Sequence, residues 1–387
     1  MPRPARRRVR PPWRRPPRPE ATASAFEWRR GGEFTVGAED ELMLVDDDGH
    51  LLGAAAASVL ADLCAGRQPD GGVTGEIFVD QVELNTTVCQ DGEDLAAALR
   101  GLRRWLTANG ARPMAVGVHP DAPFGTAHMA SSARYDWILT EMAGLFRTPT
   151  AALQIHVALP DTQTAMLAYR GLRNRLCLLR ALSASSPFWH GQDSGLASAR
   201  SAITRSYPRT TVPPALRSWE EYVTTSERIV TAAGIPDYTY VWWDLRPQPR
   251  LGTLEVRVMD TQTSLARVAG LAALIQGLVR HTVQAPDTVD LPDDVLAAND
   301  YRACRHGLDT AVVDTDGASR PLREVAVRTL AEARSALAPE GLDRPLDVVE
   351  SMLVSPPEPD RQRQLYRQHG MPALLADLVT RTTNQDG

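Results

Sequence analysis

The sequence of 387 residues contains no lysine, so all 42 of its Lys-plus-Arg positions are arginine. This excludes a phosphate-loop lysine and a Schiff-base lysine; any phosphate must be held by arginine, backbone or metal. Cysteine is scarce: Cys64, Cys89, Cys177 and Cys304 are scattered, with no C-x-x-C pair. That argues against a disulfide or zinc framework and suits buried thiols in a reducing, cytoplasmic setting. Long apolar runs are missing too. "LAALIQGLV" is broken by Gln276 and falls short of the ~18 residues a membrane span needs, so no membrane partner is expected. What is present is ordinary for a chain able to bury a sizeable core: 43% hydrophobic and 23% charged residues.

Charge is unevenly placed. Residues 1–20 carry eight Arg and one Glu, a net of +7, which leaves −12 on the rest of a chain whose total is −5. The Arg/Pro-rich head has little to bury and no apolar h-region. It reads as an unstructured segment over 1–32, an appendage in preference to a nucleic-acid arm. A nucleic-acid partner is not expected, because the acidic body would repel phosphate. One domain over 33–383 follows, then a short tail at 384–387. Its strand-like runs are "EFTVGAEDELMLV", "EIFVDQVELNTTV", "RPMAVGVHP", "AALQIHVALP", "YTYVWWDLRP" and "GTLEVRVMD". Helix-like stretches are "EDLAAALRGLRRWLTANG", stopped by Gly110, "TQTAMLAYRGLRNRLCLLRALSA" after Asp161, and "SLARVAGLAALIQGLVRHTV" capped by Ser264; the last seventy or so residues are helical. Strands and helices do not alternate strictly. The expected class is α+β, an antiparallel or mixed sheet with helices on one side.

Three strands carry polar pairs two residues apart, which places each pair on one face. They are Glu39 and Glu41, Gln154 and His156, and Glu255 and Arg257. Like charges at that spacing repel unless the face is wet or a cation sits between them. Glu76 and Glu83 are separated by an odd number of residues, so a single straight strand cannot aim both at one face; a turn or bulge near Asp80–Gln81 is required. With it, four carboxylates can line one cavity, an oxygen-rich set suited to Mg²⁺ or Mn²⁺. Arg246, Arg250 and Arg257 add guanidinium forks for phosphate or carboxylate. Carboxylates for divalent ions beside arginines for anions fit a nucleotide phosphate site.

These residues lie in stretches that resemble a known family. "VGAEDELMLVD", "EIFVDQVELNTTV", "AVGVHP", "LSASSPFWHGQDSGLASAR", "YPRTTVPP", "WWDLRPQPRLGTLEVRVMDTQTS" and "YRACRHGLD" resemble the carboxylate–amine ligases of the second glutamate–cysteine ligase type, related in fold to glutamine synthetase. The likeness runs from Phe34 to about Thr382. It implies an antiparallel sheet curved into a funnel, open at one end to ATP and at the other to an amino acid. It also implies amide formation in two steps: ATP phosphorylates a carboxylate, typically the side chain of glutamate, and an amine such as that of cysteine displaces the phosphate. Two or three Mg²⁺ ions would bridge ATP and protein. By motif position, Glu39 and Glu41 serve different metals, Glu76 and Glu83 join Glu41, and Glu255 joins Glu39. Arg257 and Arg250 hold the transferring phosphoryl group, Arg246 helps with the acyl substrate, and "DSGLASAR" closes over substrate, with Gly195 as its bend and Arg200 meeting an anion. The partners implied are small molecules; a homo-oligomer is left open.

One departure stands out. Where the family has His-x-His, this chain has Gln154-Ile155-His156. The resemblance makes Gln154 the metal ligand and turns His156 toward phosphate, with a shift of His156 into the ligand role as the alternative. Gln248 and Ala158 replace a usual histidine and glycine. A weakened, ligand-binding regulatory member of the same fold is the competing reading. A serine hydrolase is not: the serines near His190 lack a G-x-S-x-G elbow. His119 in "GVHP" reads as structural.

Overall fold

The computed structural model describes residues 23–384 except 67–69, 126, 143 and 287–288. The expectations for residues 1–22 and for the tail beyond 384 fall outside the described residues. Residues 23–32 do not behave as part of a loose head. Phe26 packs 5.1 Å from the Tyr238 ring and 6.0 Å from Tyr222, Trp28 donates from its indole to the Leu159 carbonyl at 3.1 Å, and the Arg29 amide donates to Pro249 at 2.9 Å. The arginine-rich run ends before these two aromatic rings, which have apolar area to bury.

The central sheet is built from β1 (Val36–Leu44), β2 (Gly72–Gly75), β3 (Gln81–Asn85), β4 (Pro113–Met114) and β5 (Ala152–Ala158). After a small separate hairpin of β6 (Phe188–Trp189) and β7 (Gln192–Asp193), it is completed by β8 (Leu245–Gln248) and β9 (Thr253–Asp260). Its order is β2-β3-β1-β5-β9-β8, with β4 on the end of β1, and every pairing is antiparallel. The α+β expectation holds, with the antiparallel form of the sheet. Two expected strands shrink: "RPMAVGVHP" contributes only β4 and a single bridge from Val118 to Thr150, and "YTYVWWDLRP" holds a 3-10 turn at Tyr238–Tyr240 before β8.

Alternation on β1 decides what faces what. Val36, Ala38, Asp40 and Leu42 are buried, while Gly37, Glu39 and Glu41 between them are half-buried on the other face. On the buried side lies the helix Leu265–Gln284, capped by Ser264 as its sequence indicates. It packs against the helices Gly92–Ala108, Thr162–Arg173, Leu322–Leu337 and Leu346–Val354. Close approach needs Gly277, where an added Cβ would come 2.7 Å from the Ala333 carbonyl. The expected long helix after Asp161 is two, Thr162–Arg173 and Leu176–Ser183. Asn174 leaves the helix between them, its side chain bonding Val289 and Leu291; tertiary hydrogen bonds override the local periodicity.

Candidate active site

The exposed side of the sheet opens on a cavity of about 310 Å³ whose lining includes Glu39, Glu41, Glu76, Glu83, Gln154, Arg200, Arg246, Glu255 and Arg257. β1 supplies the first two at alternate positions. The next two come together because the chain reverses between β2 and β3: Gln81 donates its amide to Phe78 and Thr74 pairs with Glu83. The turn required near Asp80 thus exists, and it carries Glu76 over to the side of Glu83.

Two groups of ligating side chains result. In the first, Glu39, His156 and Glu255 each offer an atom within 4.8 Å of the others. His156 Nε2 lies 3.3 Å from Glu39 Oε1 and is buried without a hydrogen-bond partner, while Nδ1 meets Thr253 Oγ1 at 3.0 Å. Burial alone would lower the imidazole pKa; Glu39 and Glu255 outweigh it and raise it. In the second group, burial pushes Glu41, Glu76 and Glu83 up to about 7 each, with added repulsion from Glu76, from Glu83, and from Glu39 and Glu41 respectively. Glu41 accepts from the Ala152 amide at 2.8 Å and Gln154 Nε2 at 2.9 Å. Glu83 accepts from Asn85 at 2.9 Å and Glu76 from the Ile77 amide at 3.0 Å. Carboxylates crowded this way, with the His156 imidazole beside them, fit hard divalent cations.

Gln154 and His156 stand in different surroundings. β5 and β9 pair with a bulge between Leu153–Met259 and Ile155–Val256, so Gln154 meets Arg257 and Val258 together. Its carbonyl oxygen accepts from Arg257 and its amide donates to Glu41, leaving that oxygen committed. His156, one step past the bulge, stands opposite Glu255. The imidazole thus stands with Glu39 and Glu255, the alternative position the sequence left open for it, while Gln154 lines the cavity beside Glu41 and Arg257.

The arginines divide as well. Arg257 donates to Glu255 and Gln154. Arg246 is tied to Glu255 at 3.0 Å and to the Thr239 and Val241 carbonyls at 3.1 and 3.0 Å, so it orients Glu255 and has little left for an acyl substrate. Burial would raise the Glu255 pKa, but these two guanidinium groups hold it below the usual carboxylate range. Gln248, at the position of the expected histidine, also donates to Glu255, at 2.6 Å. Arg250 is not in the cavity: it is exposed on the β8–β9 turn, 5.9 Å from the Tyr238 ring. The two-residue strand period cannot carry its side chain inward, because Arg250 lies on the turn itself. Gly195 does not line the cavity either. Its loop is tied at Asp193 to Arg363 at 2.9 Å, while Arg200 reaches the cavity wall. His119 is structural as expected: Nε2 bonds the Gly49 carbonyl at 2.8 Å, and burial lowers its pKa. Sequence reasoning missed Arg134 and Tyr135, which line the cavity from the helix Ala133–Met142; in the sequence they are one polar and one aromatic residue with no motif around them.

Residues 35–376 match the glutamate–cysteine ligase family 2. The chain belongs to that family. A protein of Rubrobacter xylanophilus, provisionally named glutamate–cysteine ligase 2-3, is 36% identical over 90% of this chain and 97% of its own. The glutamate–cysteine ligase of Haloferax volcanii is 31% identical over 92% of this chain and 98% of its own. Membership makes the chain a ligase that forms carbon–nitrogen bonds. The fold is shared with a Francisella tularensis glutamate–cysteine ligase solved in complex with AMP, at a TM-score of 0.69 and 14% identity over 92% of this chain and 89% of that one. A complex of the ubiquitin-like protein Pup with its ligase PafA gives 0.54 and 10% over 90% and 72%. Among the described residues, no helix is long and apolar enough to cross a membrane.

Proposed function

We propose that this ligase is ATP-dependent and works through an acyl phosphate, joining the side-chain carboxylate of glutamate or a related acid to an amine such as that of cysteine. One observation carries the reading: Glu39, Glu41, Glu76, Glu83 and Glu255 converge from β1, β3, β9 and the β2–β3 turn on one side of a cavity that Arg200 and Arg257 also reach, with His156 of β5 beside Glu39 and Glu255. Glu39, His156 and Glu255 would hold one divalent ion, and Glu41, Glu76 and Glu83 another. When bound, such ions draw charge from the phosphates and lower the barrier to phosphoryl transfer. The protein's own part is electrostatic and positional. Arg257, fixed by Glu255 and Gln154, presents a guanidinium where charge develops on the transferring group. Glu255 is kept ionised by Arg246 and Arg257, so it can serve as a ligand and still orient Arg257. The cavity needs no covalent nucleophile, because the acyl phosphate is itself the activated species. The place of His156 weighs against a weakened, regulatory member of the family, since that idea rested on Gln154 as the ligand.

The test is ADP release from ATP and Mg²⁺ across a panel of amino-acid pairs. Release that requires both an acid and an amine, with amide product detected by mass, supports the proposal. A protein that binds ATP and Mg²⁺ yet releases no ADP with any pair overturns it.

A further inference from the structure

The segment "SASSPFWHGQDSGLASAR" is full of serines, yet neither a nucleophile nor a lid accounts for them. Two of their hydroxyls and one of their amides converge on one buried carboxylate. Asp260, at the end of β9, is 1% exposed. Its Oδ2 accepts from the Ser185 amide at 3.0 Å and Ser186 Oγ at 2.8 Å; its Oδ1 accepts from Ser198 Oγ at 2.9 Å and lies 3.6 Å from Arg200 Nη1. Arg200 is bound to the same structure from three more directions. Its amide meets Ser186 Oγ at 3.3 Å, and its guanidinium donates to the carbonyls of Val258 at 3.4 Å and Arg257 at 3.2 Å. Those two carbonyls belong to the bulge that faces Gln154. Arg200 therefore braces the stretch of β9 that carries Arg257, and the Arg257 amide is held in turn by the Asp244 carbonyl at 2.8 Å.

We propose that Asp260, held by Ser185, Ser186 and Ser198, is a positioning residue for Arg200, fixing its guanidinium between the β9 bulge and the cavity. A buried carboxylate supplied with three donors is a rigid anchor. An arginine reaching an anion site needs one, because its flexible stem would otherwise spread the charge over several rotamers. Ser185, Ser186 and Ser198, all buried, serve this anchor.

The kinetic arm rests on the ligase reading; the structural arm does not. Asp260→Asn keeps the shape and loses the charge. We expect kcat/KM to fall about tenfold or more, and we expect no further fall when Asp260→Asn is added to Arg200→Ala, because the two act as one unit. Equal factors in both backgrounds would overturn the inference and leave Asp260 with a merely structural role. Crystal structures of Asp260→Asn and of the milder Ser186→Ala give the second reading. Arg200 displaced from the Arg257 and Val258 carbonyls in either variant supports the clamp; Arg200 unmoved in both removes it. Absence of turnover in the wild-type chain would count against the ligase reading alone, with the structures still deciding the clamp.

Discussion

Three consecutive residues of β1 meet opposite fates. Glu39 and Glu41 face the cavity, where Glu41, Glu76 and Glu83 are hydrogen-bonded to amides and crowd one another until burial and repulsion raise each to about 7. Asp40 between them faces the helices, 0% exposed, with Arg103 Nη2 at 2.7 Å, Arg103 Nε at 3.2 Å and Thr261 Oγ1 at 2.7 Å. Other buried carboxylates repeat that pattern. Arg180 and Arg205 share Asp244 and Asp300, and Glu358 gathers Arg361 and Arg381. These buried charges arrive with their counter-ions, and so does Glu255 of the cavity wall, whereas Glu41, Glu76 and Glu83 crowd one another. The comparison teaches where this chain stores instability: the acidic wall is held in place by the fold and repaid only when ligands bind.

Breaking a buried pair of this kind should cost most. Arg103→Leu leaves Asp40 as an uncompensated buried charge, and about 3–5 kcal/mol of stability should be lost in denaturant titrations. Next is the acid response of Glu358. Burial would raise its pKa, but hydrogen bonding to Arg361 and the charge of Arg381 hold it down at about 2. A depressed carboxylate stabilises above its unfolded value of ~4.3 and loses that contribution as pH falls toward the folded value. The stability difference between wild type and Glu358→Gln should thus be about 3 kcal/mol at neutral pH and shrink between pH ~4.5 and ~2. On the cavity side the sign inverts: Glu83→Gln should raise stability at pH 8 in chelator, by up to about 3 kcal/mol, while abolishing Mg²⁺-dependent ADP release. A stability loss there would break the comparison. Smallest of all, Arg250→Ala should change kcat by less than about threefold, against ~10²-fold or more for Arg257→Ala, because only the latter reaches the cavity.

Much of this was legible beforehand, for identifiable reasons. Side-chain alternation on β1 is a local property, so Glu39 and Glu41 on one face and Asp40 on the other follow from the chain alone. The odd spacing of Glu76 and Glu83 demanded a turn at Asp80–Gln81, and the turn is there. Ser264 and Asp161 begin helices because their side chains accept from free amides, as caps do. The packing of Phe26 and Trp28, the break at Asn174 and the exposure of Arg250 were not readable, since each depends on partners far away in sequence. Arg134 and Tyr135 carried no signal, because a helix surface becomes a cavity wall only when something stands opposite.

By itself the sequence determined which side chains are available for chemistry and which share a strand face, since period and spacing are properties of one segment. It also excluded lysine chemistry outright. The tertiary structure alone decided that His156 and not Gln154 joins Glu39 and Glu255, because one extra residue in β9 opposite Gln154 shifts the register between two strands about a hundred residues apart, and no single strand encodes its neighbour's bulge.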